Sequence, residues 1–286
     1  MKILGYTLNK IDKDEFGRKS GILALDKPPG ITSHDLVYRV RKKIGIKKVG
    51  HAGALDPFAT GLMLLLVGKA TKLSERFLTK NKEYEFDILL GVSTDTQDPE
   101  GNVTAITELQ TKSEEEINRG LNQFKGEYYQ YVPVFSSVKV DGIRLRELAH
   151  NASGIKKEQR DDGHDVCFSF DKQKVKNRKI QRRMDKNSSI CLEIPRKKVE
   201  ISTISLIGSK KVKASSISFL QDNVTQEKEF MVITIRSRVS KGTYIRQLAE
   251  DIGEKLGNIP AVLIALRRTK IGDIALSQAI DIDSLT

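Results

Sequence analysis

Six consecutive apolar residues, Leu62-Met63-Leu64-Leu65-Leu66-Val67, place the strongest limit on what this chain can fold into. A short uninterrupted apolar run reads as a strand with both faces covered, so this segment belongs inside a sheet with material on each side. No apolar run in the chain is longer, and six residues fall far short of the ~18–20 a spanning helix needs. It is therefore a core element and not a membrane anchor. Lys82–Leu90 behaves differently, with Tyr84, Phe86, Ile88 and Leu90 alternating against Glu83, Glu85 and Asp87. That period of two predicts a half-buried strand. Further extended segments are expected at Gly21–Leu25, 128–140, 190–194, 199–207, 213–220 and 229–238.

Helical spacing is found over 34–44, where Leu36, Val37, Val40 and Ile44 share a face behind a Ser33 cap. It is also expected over 70–78, over 114–124 behind the capping pair Ser113 and Glu116, over 143–150, and over 243–256 before Gly257. Strands and helices mix without regular βαβ alternation, which argues for an α+β fold with a mixed sheet and against a dinucleotide-binding fold. Residues 1–20 read as a polar N-terminal extension. From 153 to 187 periodicity fails, and 11 Lys and Arg against 6 Asp and Glu leave a local +5. This stretch reads as a basic, partly mobile insertion with a short strand near Val166–Phe170.

The 49 Lys and Arg exceed the 37 Asp and Glu by 12. Such an excess points to a polyanionic partner, nucleic acid or an anionic membrane. The membrane is disfavoured by the short apolar run and by acidic residues where a signal peptide would need an apolar core. Cys167 and Cys191 alone make no disulfide framework, so a cytoplasmic location is expected. Several chemistries find no support. Gly61 with Gly68-Lys69-Ala70 has the wrong spacing, and lacks the hydroxyl residue, for a phosphate loop. No G-x-G-x-x-G opens a helix, no G-x-S-x-G elbow is present, and the histidines and cysteines show no metal-ligand spacing. Gly50-His51-Ala52-Gly53 resembles a backbone-clamping G-x-x-G loop but reads as a structural turn.

The dense stretch is Gly50-His51-Ala52-Gly53-Ala54-Leu55-Asp56-Pro57-Phe58-Ala59-Thr60-Gly61, with three glycines after Gly50 or at it within twelve residues. Asp56 precedes a proline, which holds its backbone extended. A carboxylate on such a loop beside a buried strand can serve as nucleophile or base, and equally as an Asp-Pro turn starter.

Here the chain resembles the TruB family of tRNA pseudouridine synthases. Gly50-His51-x-Gly53-x-Leu55-Asp56-Pro57-x-Ala59-x-Gly61, followed by Gly68-Lys69-Ala70-Thr71-Lys72, is similar to the family signature. So are Gly21–Ser33 with its Asp26-Lys27-Pro28-Pro29-Gly30 turn, Lys82-Glu83-Tyr84, and Gly91-x-x-Thr94-Asp95-Thr96-x-Asp98-x-x-Gly101. Pro133-x-x-Ser136-x-x-Lys139-x-x-Gly142, Ser240–Arg246 and Leu266-Arg267-Arg268 follow in the same order. The resemblance implies a pseudouridine synthase fold, α+β with a mixed, largely antiparallel sheet and flanking helices, occupying 21–286. It implies isomerisation of a uridine in the tRNA T loop, at position 55, with no cofactor and no metal.

It further implies that Asp56 is the essential catalyst, that Arg246 pairs with it, and that Tyr84 packs on the target base and takes a proton late. Substrate contacts are implied for His51, Tyr244, Lys27, Asp95 and Leu266. On the residues alone, Tyr84 is equally a core aromatic, and Lys241, Arg267 and Arg268 a solvated charged face. The partner is expected to be the tRNA T stem-loop, met by a monomer. Ala52 and Ala54 stand where many members carry threonine, and a C-terminal PUA-type domain is expected to be absent or truncated. The alternatives are a related synthase acting on ribosomal or guide-directed RNA, and a non-catalytic tRNA-folding chaperone.

Overall fold

The computed structural model describes residues 1–108, 111–159 and 163–285. The chain opens with short strands β1 (Lys2–Ile3), β2 (Tyr6–Thr7) and β3 (Lys10–Lys13), then β4 (Lys19–Lys27), α1 (Ser33–Ile44), β5 (Val49–His51), β6 (Thr60–Val67) and α2 (Ser74–Leu78). Next come β7 (Lys82–Leu90), β8 (Val92–Thr94), β9 (Val103–Ile106), α3 (Glu114–Asn122) and β10 (Gly126–Tyr131). They are followed by β11 (Lys139–Val140), β12 (Ile143–Arg144), α4 (Leu145–Asn151), β13 (Gly154–Gln159), β14 (His164–Ser169), α5 (Arg178–Gln181) and β15 (Ser189–Glu193). The last elements are β16 (Arg196–Lys213), β17 (Glu229–Val239), α6 (Ile245–Lys255), β18 (Ala261–Ile271) and β19 (Ile274–Ala275).

These elements form two compact units. The first comprises Met1–Tyr128, Val199–Thr243 and the chain from Ala249 on; the second comprises Tyr129–Lys198 and Tyr244–Leu248. The first is built on a sheet ordered β16-β17-β7-β18-β6-β4-β3, with β5 also on β6 and β19 on β18. Every pairing in that path is antiparallel except β6 with β18, so the sheet is mixed and largely antiparallel. The apolar run lies in β6, between β4 and β18. Leu62, Leu64 and Leu66 pack with Ile22, Ala24, Ala52, Phe77 and Ile271. Met63, Leu65 and Val67 on the opposite face are equally inaccessible to solvent. Both faces are covered, which is why the run carries no polar residue.

Several local expectations change. The cap of α1 is Thr32, not Ser33, in a reciprocal capping box with Asp35. Residues 213–220 do not continue as a strand beyond β16. They form two 3₁₀ turns that bury Ala214, Ile217 and Leu220 against Leu89, Phe230 and Val262. The N-terminal residues are folded onto the sheet edge. β3 pairs with β4, and Asn9 accepts from the Ala24 N–H while donating to the Gln278 carbonyl.

The second unit contains the antiparallel sheet β13-β14-β15 with α4 and α5. Phe168, Phe170, Val175, Ile180, Ile190 and Ile194 bury together with Val132, Leu145 and Leu148. The basic segment expected to be partly mobile thus supplies five of the thirteen buried residues of this core. Only Val166, Phe168 and Phe170 show a period, that of the short strand β14; Val175 and Ile180 stand singly among charged and polar residues. Cys167 and Cys191 are register partners on β14 and β15 and are joined by a disulfide. The sequence places them 24 residues apart, and only strand pairing makes them neighbours.

Candidate active site

Asp56 lies on the loop between β5 and β6, half-buried. Three neighbours in the turn between β4 and α1 fix that loop. The Ser33 hydroxyl accepts from the Leu55 N–H at 2.8 Å and donates to the Leu55 carbonyl at 3.0 Å. The Gly30 N–H donates to the Pro57 carbonyl at 3.0 Å. Lys27, fully buried, donates from Nζ to the carbonyls of Pro28, Ile31 and Pro57 at 2.9, 2.7 and 3.0 Å. Burial pushes the Lys27 ammonium down to about 8, against the pull of the Asp56, Glu100 and Asp35 carboxylates. Asp56 and Lys27 therefore attract one another within one electrostatic neighbourhood, and each residue beside the carboxylate is tied to the β4–α1 turn.

His51 ends β5 and faces Leu65 of β6. Its Nδ1 is buried, and burial first, then Arg268 and His34, hold its pKa below the usual value. A neutral imidazole offers a flat aromatic face, suited to a base and not to a phosphate.

Tyr84 sits on β7 opposite Ser237 of β17 and Arg268 of β18, and Phe86 lies opposite Leu266. The alternation in both strands buries Tyr84, Phe86, Leu266 and Arg268 and leaves Glu83, Glu85 and Arg267 partly exposed. Tyr84 and Leu266 therefore share the inner face. Leu266 also lines a groove of about 490 Å³ with Phe58, Thr60, Phe86, Pro99 and Arg267. The adjacent arginines part company here. Arg267 turns outward to Asp26 at 2.6 Å, whereas Arg268 is 1% exposed and donates to the carbonyls of Leu62, Ala54 and Gly53. Arg268 is thus set apart from the charged face that Arg267 still presents, because strand alternation sends neighbouring residues to opposite sides.

Lys82, also buried, donates to the carbonyls of Phe77, Leu78 and Lys80. Burial, with Arg268 and Lys241 adding repulsion, pushes it down to about 8. Lys82 and Arg268 are residues that reading the sequence did not select. Lys82 had a signal, a cation in phase with Tyr84 and Phe86 on an alternating strand, whereas Arg268 had none beyond being one of two adjacent arginines.

Asp95 holds its own loop closed, accepting from the N–H and the side-chain amide of Asn102 at 2.8 and 3.1 Å. Asp98, nearly fully buried, accepts from the Thr96 hydroxyl at 2.6 Å. Tyr244 and Arg246 belong to the second unit. Gln130 clamps the Tyr244 backbone from both sides, accepting from its N–H at 2.8 Å and donating to its carbonyl at 3.0 Å. Lys197 stands 5.7 Å over the Tyr244 ring. Arg246 is buried and donates to the Phe135 carbonyl at 3.0 Å. Among the described residues, no group of three His, Cys, Asp or Glu side chains could hold a metal ion. No described helix is long and apolar enough to cross a membrane.

A mixed sheet, an aspartate on a glycine-rich loop entering β6 and a buried tyrosine on β7 agree with a pseudouridine synthase class, which comparison with known proteins shows. Residues 41–189 match the family model described as TruB family pseudouridylate synthase, N-terminal domain. The chain is 34% identical over 265 residues to tRNA pseudouridine synthase B of Opitutus terrae, covering 93% of this chain and 86% of that protein. It is 35% identical to the protein of the same name from Bacillus pumilus, covering 93% and 70%. The counterpart from Aquifex aeolicus is 33% identical, with 92% and 72% covered.

Among solved structures, a chain of a Cbf5-Nop10-Gar1 complex shares the fold with a TM-score of 0.55 and 22% identity. That match covers 92% of this chain and 53% of the other, so the chain spans about half the length of that relative. The chain belongs to the TruB family of pseudouridylate synthases.

Proposed function

We propose that this protein is an isomerase that converts the T-loop uridine of tRNA, position 55, to pseudouridine. The observation that carries the reading is the half-buried Asp56 on a loop tied down by Lys27, Gly30 and Ser33, in the sheet whose strand β7, next to β18, carries the buried Tyr84. In the reaction the bond from the ribose carbon to N1 of uracil breaks, the base turns, and a new bond forms to C5. The proton on C5 then leaves and N1 gains one. Nothing is oxidised or reduced, so no cofactor is required.

Asp56 acts as the ionised catalyst, with Arg246 as its charge partner. Tyr84 packs on the base and receives the late proton, Leu266 packs beside it, and Tyr244 supplies a second aromatic wall. His51 meets the rearranged loop with its uncharged ring; Lys27 and Asp95, for which the resemblance implies substrate contacts, bond the protein's own backbone and Asn102 and so act by holding the surrounding turns. A stacked uracil must be flipped out at a cost of a few kcal/mol, and the excess positive charge supplies the compensating backbone attraction. The protein acts as a monomer on the T stem-loop in the cytoplasm.

The test uses unmodified tRNA transcript, wild-type protein and Asp56→Asn, with chemical mapping of pseudouridine. Modification of the T loop by wild type alone is expected. Tight binding of tRNA with no modification by wild type would favour the folding chaperone, and modification of a different RNA only would favour the other synthases.

A further inference from the structure

The loop that carries Asp56 leaves the sheet after His51 and re-enters it at Thr60. Its neck is closed by the β5–β6 pairing and by the Ala52 N–H donating to the Leu64 carbonyl at 2.9 Å. Beyond that neck the anchors already described hold Leu55 and Pro57, the middle of the loop. They do not account for Gly53-Ala54, where the chain leaves β5, nor tie it to Gly61-Leu62 at the start of β6, which pairs with Lys27 and Asp26 of β4.

One side chain reaches both ends. From β18, more than two hundred residues away in sequence, Arg268 donates from Nε to the Leu62 carbonyl at 2.7 Å. Its Nη1 donates to Ala54 at 3.3 Å and its Nη2 to Gly53 at 3.2 Å. Arg268 is 1% exposed; its bond to Leu62 is fully buried and those to Ala54 and Gly53 are partly so. The glycines of the loop are shaped around this arginine. A Cβ on Gly61 would fall 2.4 Å from the Arg268 carbonyl oxygen and 2.6 Å from its nitrogen, and Gly61 has a φ of +102°. A Cβ on Gly53, whose φ is +116°, would meet Nη1 at 3.7 Å. β18 and β6 run parallel here, with Arg268 opposite Gly61, so backbone and side chain of one residue grip the same loop end.

We propose that Arg268 is a positioning residue for the reaction: its buried guanidinium fastens both ends of the Asp56 loop to β18 and so fixes where the catalytic carboxylate stands. Arg268 uses three separate nitrogens of a planar fork to reach carbonyls that lie apart, whereas a lysine's donors share one nitrogen and, as at Lys27 and Lys82, serve only carbonyls that converge on it. Small displacements of a reacting group cost rate steeply, while RNA contacts spread over a basic surface do not depend on this loop. The inference rests on Asp56 being the catalyst.

The experiment compares wild type, Arg268→Lys and Arg268→Met using tRNA transcript. It reads single-turnover rate, tRNA Kd, thermal midpoint, and amide hydrogen exchange across 52–64. Arg268→Lys keeps a cation and most of the volume, and so guards against a variant that merely fails to fold. The expected result is a folded Arg268→Lys protein with Kd within threefold of wild type and a rate at least tenfold lower. Exchange should be faster in 53–62 and unchanged in β7 and β17. Adding guanidinium to folded Arg268→Met should return part of the rate. A folded Arg268→Lys with wild-type rate and wild-type loop exchange overturns the proposal. So does a rate loss matched by the unfolded fraction. If Asp56→Asn retains full activity the functional reading fails instead, and the exchange measurement still reports on the Arg268 anchor.

Discussion

At the scale of single residues, buried polar groups do the positioning, and their loss has calculable consequences. Ser33→Ala leaves the N–H and carbonyl of buried Leu55 without their partner, at a cost of about 1–3 kcal/mol. A fall in both thermal midpoint and turnover is expected. Thr32→Ala, one residue earlier, removes an exposed cap worth about 1 kcal/mol and should leave turnover intact. Equal turnover losses in the two variants would show that the Ser33–Leu55 bridge has no special role. Lys82 makes a pH prediction. Its folded pKa of about 8 lies below the ordinary lysine value of 10.5, so the unfolded chain holds more protons between those limits. Stability contributed by this residue therefore rises with pH from 8 to 10.5. Denaturant titrations at pH 7.5 and 10 should move wild type upward relative to Lys82→Met, and a difference independent of pH would contradict it. Asp56 and Tyr84 were legible from motif and alternation. Arg268 was legible only as one of two adjacent arginines, since the sequence does not say which turns inward.

At the scale of elements, the parallel pairing of β6 with β18 joins the two strands that frame the loop. Gly61 is required there for its positive φ and for the backbone contact with Arg268. Gly61→Ala adds a methyl group that meets main chain, not a flexible side-chain end, so the strands must separate. We expect a loss of at least about 3 kcal/mol together with loss of activity. Gly50→Ala, where an added Cβ meets nothing within 4 Å, should be nearly neutral in stability. Thermal unfolding of the pair reads the contrast. The strands with strict patterns, β6 and β7, were visible in the sequence because burial on two faces or on one imposes a simple period. The 3₁₀ turns after β16 were not, because a mixed apolar stretch such as Ala214–Leu220 satisfies either a strand or a compact turn until its neighbours are known.

At the scale of the molecule, the +12 excess predicts salt-sensitive RNA binding. Part of the excess lies on exposed residues of the second unit, Lys176, Arg178, Lys179 and Arg182. Changing these four to glutamine should weaken tRNA binding and flatten its salt dependence, while saturating turnover is kept. An unchanged salt slope would place the binding charge elsewhere. Removing the whole 155–186 stretch is a poorer test, because Phe168, Phe170, Val175 and Ile180 would go with the lysines and the unit would lose its core. By itself the sequence determined the family and the core strands, and it supplied the aspartate proposed as catalyst and the charge excess that suits a polyanion, because each is written in local periods, spacings or sums. The tertiary structure decided which arginine is buried, that two distant cysteines pair, and that a patternless basic segment folds. Those outcomes depend on strand register and on contacts between residues tens to hundreds of positions apart, and no local pattern encodes them.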